Sequence, residues 1–342
     1  MNGVGPRILI VAPSWVGDAV LSQPLLALLK ARQPDAAIDV FAPSWVLPVY
    51  RRMPEVAGTL ENPFGHGALA LGARLRYGRR LRERCYARAV ILPNSLKSAL
   101  VPYFAAIAQR TGFVGELRYG LLNDARRLDE ARMPLMVERF AYLAGEAGEP
   151  LLRPVPRPRL RVTGEETQQV LAAKALQRPE RLACFCPGAE YGPAKRWPAA
   201  HFAQLARHLA RQSWKVWLLG SSKDVEAGTQ IVRQAGDAVL DLTGKTSLDE
   251  AVALLAIADL VVTNDSGLMH VAAALDRPLV AIYGSSSPRF TPPLSEHARI
   301  VQLGVPCSPC FQRVCPLGHF DCMMRLAPER ILREIEALGC AA

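Results

Sequence analysis

The sequence predicts two α/β domains, each wound around a mostly parallel sheet, and three observations lead there. Its 342 residues exceed one ordinary domain and allow two, each large enough to bury its own core. Short β-rich apolar runs alternate with longer stretches of helical periodicity, the pattern of repeated βα units, and the alternation occurs twice. Between the two series lies Arg153-Pro-Val-Pro-Arg-Pro-Arg159, too rich in proline and charge for a helix or a central strand.

In the first series, residues 8–12, 38–42 and 89–92 read as buried strands, each ending near a proline and followed by a helix-like segment. In the second, residues 182–186, 215–219, 260–263 and 279–283 do the same. Residues 328–338 are amphipathic and open with Pro328, suited to a first helical position, so they read as a terminal helix. The expected organisation is a first domain over 1–160, a second over 161–325 and a terminal helical segment over 326–342. Two such domains on a stiff hinge enclose a cleft, and both sheets offer it the C-terminal ends of their strands, where ligands bind in this class.

Composition narrows the class further. Half the residues are hydrophobic and 21% are charged, as in a folded globular protein and unlike a disordered one. Apolar runs are short or carry charges, as Asp259 interrupts residues 251–262, so none reaches the roughly 20 residues of a membrane-spanning helix. The first strand follows Met1 almost directly, with no basic leader and small-residue cleavage site, which predicts a cytoplasmic protein. Net charge is +10, unevenly spread: residues 1–160 hold 22 Lys and Arg against 13 Asp and Glu, and the remainder 19 against 18. Such asymmetry suits a first half that meets a polyanion, whether nucleic acid, an acidic membrane surface or a phosphorylated substrate; arginine used simply as a solubilising residue explains it equally well.

Three strand-to-helix turns carry candidate chemistry. The first, Ile8-Leu-Ile-Val-Ala-Pro-Ser-Trp-Val-Gly-Asp-Ala-Val-Leu21, has a single glycine where a dinucleotide fold wants G-x-G-x-x-G, which disfavours a nicotinamide enzyme. Asp18 then sits at a helix N-terminus, where the dipole keeps a carboxylate ionised; it serves either as a cap or as a base. The second, Cys186-Pro-Gly-Ala-Glu-Tyr-Gly-Pro-Ala-Lys-Arg-Trp-Pro198, offers backbone amides at Gly188 and Ala189 and cations at Lys195 and Arg196 to a diphosphate. In the third, a strand runs into Asn264-Asp-Ser-Gly267, so the next helix opens with exposed amides near Asp265, Ser266 and His270, a second anion cradle. Between them, Leu218-Leu-Gly-Ser-Ser-Lys-Asp224 ends a strand in small residues and an acid, as a ribose-binding edge would, through Ser221 and Asp224. Ser247 and Glu250 read as a capping box.

Together these segments resemble the ADP-heptose:lipopolysaccharide heptosyltransferases over nearly the whole chain. The specific pieces are Pro13-Ser-Trp-Val-Gly-Asp18, Leu92-Pro-Asn-Ser-Leu-Lys-Ser-Ala99, Arg110-Thr-Gly-Phe-Val-Gly-Glu-Leu-Arg-Tyr-Gly-Leu-Leu-Asn123, the turn from Pro187 to Pro198, and Asn264 to His270. The resemblance implies a GT-B fold of two Rossmann-like domains, the first taking the acceptor and the second the nucleotide sugar, with the last helix packed back on the first domain. It implies that Asp18 is the catalytic base and Lys195 the donor-phosphate lysine, and that Asp265, Ser266, Gly267 and His270 belong to the donor loop. Asp224 falls where a related enzyme carries a ribose-binding glutamate and is a shorter acid; Thr246 falls near the adenine. Asn94, Lys97 and Arg118, inside resembling segments, become candidate acceptor contacts.

Within that family the likeness points to inverting transfer of heptose from ADP-heptose to the first heptose of the lipopolysaccharide inner core, heptosyl-Kdo2-lipid A. Transfer of the first heptose to Kdo2-lipid A, and nucleotide-sugar epimerisation on the same fold, are the alternatives. The acceptor's phosphates and carboxylates suit the basic first half, so the expected partners are this lipid and the inner-membrane surface, met peripherally, and not nucleic acid. The apolar residues 100–108 are read as core or as a lipid contact. No Asp-x-Asp motif occurs, so neither a metal nor another cofactor is expected beyond the ADP-heptose donor. Cys307, Cys310, Cys315 and Cys322, spaced C-x2-C-x4-C-x6-C with His319 among them, form either a compact loop of reduced thiols or a soft-metal site.

Overall fold

The computed structural model describes residues 5–65 and 67–340 and divides into two compact units, Met1–Pro158 and Arg159–Ala342. The first is built on β1 (Arg7–Val11), β2 (Ala37–Ala42), β3 (Val56–Glu61), β4 (Tyr86–Ile91), β5 (Gln109–Phe113) and β6 (Asp124–Arg126). All pair in parallel, in the order β3-β2-β1-β4-β5-β6. The second is built on β7 (Leu182–Cys186), β8 (Lys215–Leu218), β9 (Val239–Asp241), β10 (Leu260–Asn264), β11 (Leu279–Tyr283) and β12 (Ala298–Gln302). These too are parallel, in the order β12-β11-β10-β7-β8-β9. Counted within each unit, the two orders are the same doubly wound arrangement, and the GT-B-like α/β class expected from the sequence is the one observed.

Burial explains why these runs become strands. Ile8, Leu9, Ile10 and Val11, and all of Leu182–Cys186, Leu260–Asn264 and Leu279–Tyr283, are buried, as expected of parallel strands covered on both faces by helices. In each sheet the winding direction reverses between the first and fourth strands, β1 and β4 or β7 and β10. At such a switch point the two adjacent connections diverge to opposite faces and leave a crevice at the strand C-termini.

Two segments read from the sequence can be placed here. The terminal helix, Pro328–Ala337, places Ile331 and Ile335 in the apolar core of the second unit with Phe202, Leu205 and Leu209 of the Ala199–Arg211 helix. Its one apolar stripe, four residues apart, is used there. Likewise the Leu96–Phe104 helix buries Ala99, Leu100, Val101 and Pro102, which makes the apolar run core and leaves Tyr103 as its large exposed side chain. The capping box forms as read: Ser247 Oγ accepts from the Glu250 amide at 3.2 Å, and the Glu250 carboxylate accepts from the Ser247 amide at 2.8 Å. Among the described residues no helix is long and apolar enough to cross a membrane.

Candidate active site

In the first unit a cavity of about 690 Å³ opens at the β1/β4 switch point. The turn after β1 contributes Ser14, Trp15 and Asp18, the turn after β4 contributes Asn94, Ser95 and Lys97, and Asn62, Arg74, Glu116 and Arg139 complete the polar wall. Asp18 lies in the first turn of the short Val16–Leu21 helix, half-buried, its backbone carbonyl accepting from Ser22. Its charge lies close enough to Tyr50 to add to the effect of complete burial, which drives that phenol's pKa upward. Tyr50 in turn shares a 3.0 Å hydrogen bond with Ser22, at the end of the Asp18 helix.

The turn after β4 owes its shape to Arg118. Its guanidinium, 1% exposed, donates to the Pro93 carbonyl at 2.6 Å, the Phe113 carbonyl at 2.6 Å, Ser98 Oγ at 3.1 Å and Asn94 Oδ1 at 3.2 Å. Burial pulls its pKa down to about 10, still far above neutrality. Glu116 accepts from the Leu96 amide at 2.8 Å, and the Arg74 guanidinium donates to the Lys97 carbonyl at 3.2 Å. Asn94 and Lys97 thus stand at the cavity wall as expected, whereas Arg118 lies beneath it with its donors engaged: it positions the turn and does not offer itself to an acceptor.

In the second unit Asn264, at the end of β10, ties the two switch-point turns together. Its side chain donates to the Pro187 carbonyl at 2.7 Å and accepts from the Trp197 amide at 3.1 Å, closing residues 187–197 over the start of the next turn. Lys195 Nζ then lies 2.5 Å from Asp265 Oδ2, which also accepts from Ser286, and the ammonium stands 5.0 Å from the Tyr191 ring centroid. His270 is buried with Nδ1 unpartnered; desolvation, opposed by Asp265 and assisted by Lys195, takes its pKa down to about 4, so it is neutral near pH 7. Ser266 precedes the Gly267–Ala274 helix without capping it through its side chain, leaving the first-turn amides available to a ligand.

The glycosyltransferase family 9 (heptosyltransferase) pattern matches residues 74–321, well over half the chain. The protein is a family 9 glycosyltransferase. It is 49% identical over 341 residues to lipopolysaccharide heptosyltransferase 2 of Salmonella typhimurium strain LT2, covering 97% of this chain and 98% of that one. It is 48% identical to lipopolysaccharide heptosyltransferase 2 of Escherichia coli strain K12 over the same shares. Among solved structures it superposes on the E. coli ADP-heptose LPS heptosyltransferase II with a TM-score of 0.87 and 46% identity, covering 97% of this chain and 98% of that one. A family 9 glycosyltransferase from Veillonella parvula shares the fold, with a TM-score of 0.86 at 22% identity over 99% of this chain and 98% of that one.

Not every expected donor residue of this family 9 enzyme is free to meet a donor. Asp265 is occupied by Lys195 and Ser286, and its negative charge would repel a diphosphate, so it acts by positioning the lysine. Asp224 Oδ2 accepts from the Ser221 amide and hydroxyl, both at 2.9 Å, which makes the pair a cap on its own turn and not an open ribose edge. Asp224 also fills the space beside Gly188: a Cβ there would lie 2.4 Å from its Cγ, so any larger residue forces the Asp224 carboxylate aside. Ala189 is buried beside it, and Thr246 Oγ1 is buried without a hydrogen-bond partner.

The four clustered cysteines of the transferase are free thiols; with His319 they surround a small cavity, and among the described residues no His, Cys, Asp or Glu group is placed to hold a metal. The loop they shape braces the Lys195 turn. The Ala194 amide donates to the Arg313 carbonyl at 3.0 Å, Tyr191 Oη donates to the Phe311 carbonyl at 2.6 Å, and the Arg313 guanidinium sits over the Tyr191 ring. Sequence reading missed Trp45 at the first cavity, although the signal was present: Ala-Pro-Ser-Trp-Val occurs at 12–16 and again at 42–46. The two copies meet where Trp45 Nε1 donates to the Ser14 carbonyl at 3.0 Å.

Proposed function

We propose that this chain transfers L-glycero-D-manno-heptose from ADP-heptose to the first heptose of the lipopolysaccharide inner core, heptosyl-Kdo2-lipid A, with inversion at the anomeric carbon. One observation carries the reading. The segments that resemble the heptosyltransferases coincide with the two switch-point sites, a carboxylate at a cavity in one unit and a lysine among free helix amides in the other. Near-full-length likeness to proteins named lipopolysaccharide heptosyltransferase 2 supports the choice of donor and acceptor.

Asp18 takes the proton from the acceptor hydroxyl as that oxygen attacks the anomeric carbon, a role that typically contributes about 10²- to 10⁴-fold. The bond from that carbon to the diphosphate oxygen breaks in the same displacement, so ADP leaves with the electron pair. Lys195 spends one of its three N–H bonds on Asp265 and turns the others to the departing phosphates, joined by the amides at Gly188, Ala189 and Gly267 and by the dipole of the following helix. Thr246 and the Ser221–Asp224 turn border the nucleoside. Charge compensation from lysine and amides is sufficient in this scheme without a metal or other cofactor. On the acceptor side, Asn94 and Lys97 meet the core sugars and their acidic groups, while the lipid end keeps the enzyme at the cytoplasmic face of the inner membrane.

The decisive assay offers ADP-heptose with defined truncated cores. Transfer to heptosyl-Kdo2-lipid A and not to Kdo2-lipid A is expected; the reverse preference would assign the first-heptose reaction instead. Asp18→Asn should keep ADP affinity within about twofold and lose at least about 100-fold in kcat, and turnover near that of the parent chain would sink the base assignment.

A further inference from the structure

The first unit carries an apolar run at the rim of the Asp18 cavity and exposed to solvent. Gly67-Ala-Leu-Ala-Leu-Gly72 is exposed along its whole length, with Leu69 52% and Leu71 51% exposed. Such a run is costly in water, yet its backbone is held inward: the Arg74 guanidinium donates to the carbonyls of Leu69 at 2.8 Å and Ala68 at 3.3 Å while sitting 4.2 Å over the Phe64 ring. Apolar side chains therefore face outward while part of the backbone is satisfied from within, the combination a loop needs to enter lipid.

The Leu71–Leu81 helix continues that surface. Arg74, Gly78 and Leu81 are its buried side. Gly78 sets the rotation, because a Cβ there would lie 2.6 Å from Phe104 Cβ and 2.9 Å from the Val101 carbonyl, so the helix sits tight on its neighbour. The opposite side then presents Arg76, Arg79 and Arg80, all exposed and without a carboxylate partner among the described residues. Leu69, Gly67 and Gly65 also line the cavity of Asp18, so the apolar loop forms part of that cavity's rim and leads from it into the basic helix.

We propose that residues 67–72 and the arginine face of the Leu71–Leu81 helix dock the protein on an anionic lipid bilayer, the loop entering the interface and Arg76, Arg79 and Arg80 meeting head-group phosphates. This rests on the reading above that the acceptor is lipid-anchored, and it places the cavity rim where such a sugar emerges. Each arginine near an anionic surface adds its own attraction, so several act together, and salt weakens them.

The test sediments the full chain with vesicles of phosphatidylcholine alone and with 30% phosphatidylglycerol (about one anionic lipid in three, enough for a strongly negative surface). The parent chain should pellet with the anionic vesicles and be released as salt rises. Arg79→Glu/Arg80→Glu and, separately, Leu71→Ser should each lower the bound fraction, the charge reversal by about tenfold or more. Arg211→Glu/Arg233→Glu, exposed in the second unit, imposes the same charge change and should leave vesicle binding unaltered. Circular dichroism checks folding, and Leu71→Ser alone decides if the charge reversal disturbs it. Heptose transfer to a delipidated acceptor should be the same in all these variants, which separates failure of the surface from failure of the transfer reading. Unchanged pelleting of both first-unit variants overturns the proposal, as does a parent chain that ignores anionic vesicles or that binds a short RNA through the same arginines instead.

Discussion

At the scale of single residues, a side chain's chemical type was visible in the sequence but its partner was not. Arg118 and Lys97 looked alike as cations in matching segments, yet burial separates them: one holds four groups of the protein itself, the other faces the cavity. Asp265 is similar, since only the fold reveals that Lys195 and Ser286 already claim it. His270 yields a pH prediction. The unfolded chain protonates its imidazole near the ordinary 6.5, the folded chain only near about 4, because burial disfavours the cation. Stability present above pH 6.5 is therefore lost as pH falls towards 4, through the unfolded state's greater proton uptake. Thermal melts of His270→Gln beside the parent chain should show a shallower acid decline in the variant, the difference reaching on the order of 1–3 kcal/mol; parallel curves would mean that other groups set the acid limit.

At the scale of elements, the strands legible in the sequence are the central ones. Residues 8–12, 38–42, 89–92, 182–186, 215–219, 260–263 and 279–283 correspond to β1, β2, β4, β7, β8, β10 and β11, whose residues are mostly buried and mostly apolar despite Asp39 and Lys215. Those that escaped, β3, β5, β6, β9 and β12, lie towards the sheet edges and mix in polar residues, as Gln109-Arg-Thr-Gly-Phe113 does, so their alternation is too weak to stand out. The functional turns were legible because each joins a central strand to a helix. Their internal bracing was not, since the 305–322 segment that supports the Lys195 turn lies more than a hundred residues away in sequence. Gly188 tests how tightly one turn is built. Gly188→Ala drives a methyl into Asp224, which the Ser221 amide and hydroxyl hold in place. Overpacking of this kind costs about 1–3 kcal/mol, so melting should fall and ADP affinity should drop at least about tenfold in a calorimetric titration; an unaltered ADP affinity would show that the turn yields without consequence for the nucleotide.

At the scale of the whole molecule, two units of the same winding differ in charge and in the groups at their switch points. The first, residues 1–158, holds the basic excess, 21 Lys and Arg against 13 Asp and Glu, together with the Asp18 cavity; the second, with 20 against 18, is nearly balanced and holds the lysine and helix amides suited to a diphosphate. ADP added alone should therefore slow amide hydrogen exchange in residues 187–198 and 264–270 without changing the turn at 92–98 in the first unit, because a ligand protects the segments it orders. Equal protection in both units would contradict that division of labour. The repeated strand order also bears on descent. Each unit keeps its own crevice between its own first and fourth strands, so under the proposed function the residues that choose an acceptor and those that grip a nucleotide sit on separate scaffolds. Under that proposal, altering the turns of one half alone would change the sugar acceptor and leave the nucleotide site of the other half intact.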